Sequence, residues 1–92
     1  MADYSSTITT GGSAQTAAAA DANRATLLIQ NSDDTDFWVR FGGTAAATSP
    51  SIFVGAGDTQ FYGPEYRSLI TQAISIFGAT TGKKFTITDT KM

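Results

Sequence analysis

The stretch RATLLIQNSDDTDFWVRF, residues 24–41, decides the fold class. In its first part Ala25, Leu27 and Ile29 fall on one side of an extended chain, and Thr26, Leu28 and Gln30 on the other. A period of two is the mark of a strand with one buried face. Phe37, Val39 and Phe41 repeat the pattern and give a second strand an aromatic inner face, with Trp38 and Arg40 pointing the other way. Between the strands Asn31, Ser32, Asp33 and Asp34 are short polar residues that bond nearby main chain and tolerate unusual backbone angles. The reading is a hairpin at the centre of the core.

Towards the C-terminus, Gly42 and Gly43 end the second strand and a small-residue loop runs to Pro50. A short pair follows, residues 52–54 and 59–62, around the turn Gly55-Ala56-Gly57-Asp58. Gly63 and Pro64 interrupt the pattern, and Glu65, Tyr66 and Arg67 form a connection before an apolar stretch from Leu69. The last pair sets Ile74 and Ile76 against Phe85 and Ile87, turning at Thr80-Thr81-Gly82. Short strands with Gly or Asx turns at intervals of roughly 8 to 12 residues predict an all-β fold, a small antiparallel β-sandwich or jelly-roll-like barrel. Its expected core is Leu27, Ile29, Phe37, Val39, Phe41, Ile74, Ile76, Phe85 and Ile87.

Towards the N-terminus the signal weakens. Residues 17–20 are all alanine, but Asp21 and Asn23 stop any helix far below the roughly 12 residues one needs in isolation, so a strand or turn is expected. Residues 1–15 are rich in Ser, Thr and Gly and bury little. They read as an extended arm, with Thr7, Ile8 and Thr9 able to pair as a strand on a sheet edge or to lie across a neighbour as an added strand. The division is an arm over 1–15 and one domain over 16–92.

Composition limits the chemistry. The chain has 92 residues, no His, no Cys and one Glu, Glu65. General acid-base and nucleophilic catalysis draw mostly on His, Cys, Lys or paired carboxylates, so no catalytic residue is assigned and no enzyme is expected. A domain of this size buries only about 60 to 65% of its unfolded surface, and without disulfides its stability is expected to depend on other chains. A net charge of −2 is the opposite of a phosphate-binding footprint, so no nucleic-acid partner is expected. No apolar run approaches the roughly 20 residues that span a bilayer, and no cleaved leader is recognised, so no membrane partner is expected.

Three motifs invite a functional reading. Asp33, Asp34 and Asp36 are oxygen donors for a hard cation such as Ca²⁺, but they lack the central Gly and terminal Glu of an EF-hand loop, and turn chemistry accounts for them. GATTGKK, residues 78–84, has three residues between its glycines where a P-loop has four, and no Ser or Thr after the lysine. Gln60 occupies the place of the third glycine in a dinucleotide fingerprint beginning at Gly55. No cofactor and no metal are expected. The outward aromatics are different: Trp38, Tyr62 and Tyr66, with Arg40, are residue types enriched in protein interfaces, and aromatics also stack on sugars. With Ile8 of the arm they form the expected interface.

The block LLIQNSDDTDFWVRFGGTAAATSPSIFVGAG, residues 27–57, resembles small proteins encoded among the virion genes of tailed bacteriophages and prophages. The shared parts are a strand ending in I-Q-N, a polar turn, a W-V-x-F-G-G-T strand and an S-P-S-I stretch. The similarity runs on through ISIFGATTGKKFTITD, residues 74–89, and leaves out the N-terminal segment. The resemblance implies a β-sandwich or jelly-roll capsid decoration (cement) protein. Such a protein would be made in the bacterial host cytoplasm, bind the major capsid protein on the head exterior, associate as a homotrimer and stabilise the shell. Head fibres and tail tips that bind host-surface carbohydrate or a receptor are the alternative setting for such a module.

Overall fold

The structure is a computed structural model that describes residues 2–48 and 50–91. Among the described residues nine strands form two antiparallel sheets: β1 (Ala2–Asp3), β2 (Ser6–Thr7), β3 (Ser13–Ala18), β4 (Arg24–Gln30), β5 (Phe37–Phe41), β6 (Ile52–Val54), β7 (Thr59–Tyr62), β8 (Ile74–Gly78) and β9 (Lys84–Lys91). A 3₁₀ turn at Pro64–Tyr66 and one helical turn, α1 (Arg67–Ile70), join β7 to β8. Sheet I has the order β1-β9-β4-β7, with β2 also on β9, and sheet II the order β3-β8-β5-β6.

These orders define a jelly roll. With β1 and β2 taken as one broken strand, the pairs β1/β2·β9, β3·β8, β4·β7 and β5·β6 nest like a single long hairpin whose tip is the connection after β5. Rolling that hairpin adds the contacts β4·β9 and β5·β8 and closes two sheets around one core. The all-β sandwich expected from the alternation is present. All nine expected core residues are buried, and Ile8, Ala18, Val54 and Ile70 join them.

Strand partners differ from the local reading. The turns at 31–36, 55–58 and 79–83 were expected to close hairpins, yet each carries the chain from one sheet to the other, and among the described residues β5·β6 is the one consecutive pair that hydrogen-bonds. Asn31 shows how the first crossing is held. It is fully buried, its amide donates to the carbonyls of Thr35 (2.9 Å) and Val54 (3.1 Å), and its Oδ1 accepts the Asp33 N–H (3.2 Å). An arch of this kind sets Leu27 and Ile29 across the core from Phe37 and Val39. The inward alternation is the same as in a hairpin, so periodicity alone does not separate the two.

Over the described residues 2–15 the expected arm is not a free extension but takes the sheet-edge option, and Met1 lies outside the described residues. β1 and β2 lie antiparallel on β9, with Ala2 opposite Asp89 and Ser6 opposite Phe85, and residues 13–15 begin β3. Ile8 is a core residue, 2% exposed, and not a free contact for a neighbour. It fits because position 78 is glycine: a Cβ there would stand 2.8 Å from Ile8 Cγ1. Burying one isoleucine stabilises by roughly 1.5 to 3 kcal/mol, enough to hold a segment whose polar groups bond to β9 and its flanking turn. The Ile8 N–H donates to Lys83 O (2.8 Å) and the Gly82 N–H to Ile8 O (2.8 Å).

Candidate functional site

The outer face of sheet II carries an aligned row of aromatic side chains. Because β5, β6 and β8 direct alternate side chains outward, the register aligns Ala14 with Phe77, Phe77 with Trp38 and Trp38 with Phe53. The result is one row across all four strands. Trp38 and Phe53 meet edge to face with ring centroids 5.1 Å apart. Phe53 is 47% exposed, and Trp38 and Phe77 are half-buried by their neighbours in the row. The adjacent outward level is polar, setting Thr16 beside Ser75 and Ser75 beside Arg40. The Arg40 guanidinium lies over Gly43, where a Cβ would come within 2.7 Å of its Cζ. This is an apolar stripe flanked by hydroxyls and one cation, the make-up of a protein-binding surface.

The expected interface residues therefore divide into three groups. Trp38 and Arg40 share this face. Tyr62 points towards the core from the edge of sheet I, stacked edge to face on Phe41 (5.4 Å) and Tyr66 (5.8 Å), and does not share a face with Trp38. Burial pushes the Tyr62 phenol above its usual pKa, the nearby Tyr66 adds to this, and its O–H donates to Gln60 Oε1 (2.7 Å). Tyr66 is 49% exposed at the end of that stack, and Ile8 is internal. Phe53 and Phe77 are the functional candidates that sequence reading missed. The signal was available, because both lie one residue out of phase with buried neighbours, Val54 and Ile76.

The three aspartates of the 31–36 loop are engaged by the chain itself. Asp33 Oδ2 accepts the Lys84 N–H (2.9 Å), Asp34 pairs with Lys83 Nζ (2.8 Å), and Asp36 Oδ1 accepts the Ala56 N–H (2.8 Å). The Lys83 ammonium, helped by the Thr35 hydroxyl, holds the Asp34 carboxyl at about 2. Among the described residues no group of three or more such side chains is placed to hold a metal ion. Also among them, no helix is long and apolar enough to cross a membrane.

One polar cluster had no sequence signal at all. Arg24 and Asp89, 65 positions apart, are both shielded from solvent and joined by Nε to Oδ2 at 2.7 Å. Arg24 also donates to the carbonyls of Ile70 (2.7 Å) and Ala19 (3.1 Å), and its guanidinium sits 5.4 Å from the centre of the Tyr4 ring. Burial alone would raise the pKa of Asp89. Lys91 Nζ (2.9 Å), Arg24, the Tyr4 hydroxyl (3.1 Å) and the Ala2 N–H (3.2 Å) outweigh it and hold the carboxyl at about 2. The cluster fastens β1, β4, β9 and the end of α1 together. Fully partnered and enclosed, it has a structural task and offers no open face to a ligand.

No known protein family matches the chain, and neither a curated relative nor a similar solved structure was found.

Proposed function

We propose that this chain is a virion structural protein of a tailed bacteriophage, a decoration (cement) protein that binds the major capsid protein lattice on the head exterior and stabilises it. The observation that carries the reading is the aromatic row Phe53-Trp38-Phe77 on the outer face of sheet II, an adhesive surface on a small jelly roll. The resemblance of residues 27–57 and 74–89 to virion-gene products supplies the setting. The mechanism requires no chemical step. Many copies bound to a symmetric shell each add a modest contact, and the lattice opens only when neighbouring contacts release together. The inward docking of Ile8 leaves the folded surface, and not a free arm, to make those contacts.

The test is addition of purified protein to heads that lack it. Saturable binding and a higher temperature of head disruption are expected, both lost when Trp38 and Phe77 are replaced together by threonine. Absence of binding to such heads would refute the reading. The alternative, a head-fibre or tail-tip module that binds carbohydrate or a receptor through Trp38, Tyr62 and Tyr66, retains only Trp38 on this face, since Tyr62 faces another way with Tyr66 stacked on it. Binding of the protein to immobilised glycans, abolished by Trp38→Thr, would favour it.

A further inference from the structure

Sheet II ends in two strands with one free edge each, β3 and β6, and sheet I ends in β7 and the broken strand β1/β2. A free edge is a row of unpaired main-chain donors and acceptors, and folded proteins blunt such edges. Three of the four are blunted here. β6 is three residues long, and its Phe53 carbonyl accepts the Gln60 side-chain amide (3.0 Å). β7 is four residues between Asp58 and the Gly63-Pro64 step. β1 and β2 are two residues each, carry Asp3 and are separated by Tyr4 and Ser5.

β3 is the least blunted of the four, although its Ser13 N–H donates to Thr10 O (3.3 Å). It runs six residues, SAQTAA, with no charge and no proline. Its irregularity falls between Thr16 and Ala18, so Ser13 to Thr16 stay in regular register with β8. Gln15 directs its side chain away from this row and bonds Thr7 O (3.1 Å) and the Thr9 N–H (2.8 Å). An open hollow of ≈ 290 Å³ lies beside the first half of the strand, bordered by Ser13, Ala14 and Gln15 and by Thr9 and Thr10.

We propose that the free edge of β3 is a self-association site, at which two copies of the chain pair antiparallel about a two-fold axis. The occupant is a second copy because an uncharged antiparallel edge is its own complement. Each strand offers the other the same donors and acceptors in reverse order, and no like charges meet. Registers that keep inner faces together place Ala14 and Thr16 of both copies on the outer side, opposite or diagonal to one another. Sheet II then continues across the axis as eight strands, with the two aromatic rows on one common surface. This two-fold pair replaces the trimer that the virion resemblance implies, and it stands on the edge geometry whether or not the chain belongs to a virion.

Sedimentation equilibrium of the intact chain tests it. The wild-type protein is expected to reach twice the chain mass at high micromolar concentration. Ala14→Lys with Thr16→Lys should weaken association at least about tenfold, since lysines facing one another across an edge repel. Both side chains lie on the outer face, so an unchanged circular dichroism spectrum and melting temperature will show that the domain is intact. An equimolar mixture of that double variant with Ala14→Glu/Thr16→Glu should restore the dimer. A monomeric or three-fold wild-type mass, a lysine variant that remains dimeric, or a mixture that stays monomeric would each overturn the proposal.

Discussion

On its outer face sheet I carries threonine along β9 where sheet II carries an aromatic row, and its apolar pair, Leu28 beside Phe61 (64% exposed), lies towards the β7 edge. On the outer face of sheet I, Thr86, Thr88 and Thr90 of β9 stand beside Gln30, Leu28 and Thr26 of β4, and the hydroxyls of Thr26 and Thr90 bond to each other. The outer face of sheet II presents Phe77, Trp38 and Phe53 in line. Inside, the two sheets follow one rule and pack isoleucine, leucine, valine and phenylalanine into a common core. β-Branched threonine favours the strand and leaves a wettable surface, whereas exposed rings favour the strand and leave an adhesive one. The inner faces thus specify the fold, and the outer faces differ in how far their apolar groups line up: one row across all four strands of sheet II, against the Leu28–Phe61 pair of sheet I. Sheet I has the further task of holding the chain's beginning, through β1, β2 and the Arg24–Asp89 pair.

Substitutions that test this division should differ in size. The largest effect is expected from Asp89→Ala, which leaves Arg24 buried without its counter-charge and should lower the unfolding free energy by about 3 to 5 kcal/mol in urea titrations. Ile8→Ala should cost about 2 to 4 kcal/mol by the same measurement; a value near zero would mean that the N-terminal segment does not depend on its anchor. Acid should act on sheet I first. Asp89 titrates at about 2 in the folded state, below the 3.8 of a free aspartate, so its contribution is complete above pH 4 and fades as pH falls from 4 towards 2. The expected loss is about 2 kcal/mol, read from urea midpoints across that range, and Asp89→Asn should flatten it. Asp34 also titrates low, but it is a surface group and adds little to this slope. The smallest change in stability, about 1 to 2 kcal/mol, is expected when Trp38 and Phe77 are replaced by threonine, which takes away two half-buried rings and leaves the core untouched. Adhesion should vanish while the fold remains, as judged by near-native melting alongside lost binding to heads.

How much of this was legible depended on whether the deciding contact was local. The phases of Leu27/Ile29, Phe37/Val39/Phe41 and Phe85/Ile87 were readable because alternation is written in adjacent residues. Partners were not, since a six-residue polar turn serves a hairpin or an arch equally, and Asn31 selects the arch through its bond to Val54, which exists only once β6 is in place. The N-terminal segment was misread for a related reason: its composition is that of a solvated chain, and a single isoleucine opposite Gly78 reverses the outcome. Trp38 and Arg40 were found as outward residues from phase alone. The joining of Trp38 with Phe53 and Phe77 required the strand order.

The nested order of strand pairs also sets how the molecule comes apart. Its sequence-adjacent pair, β5·β6, is innermost, and each successive pair closes a longer loop, ending with Ala2 opposite Asp89. Assembly that begins at the shortest loop meets the smallest entropic cost, so closure is expected to proceed outward, with the first strands docking last. Tension applied to the two ends would meet the bonds of β1 and β9 one at a time, as in a zip fastener opened from its slider, and would release Tyr4 and Ile8 before disturbing Trp38.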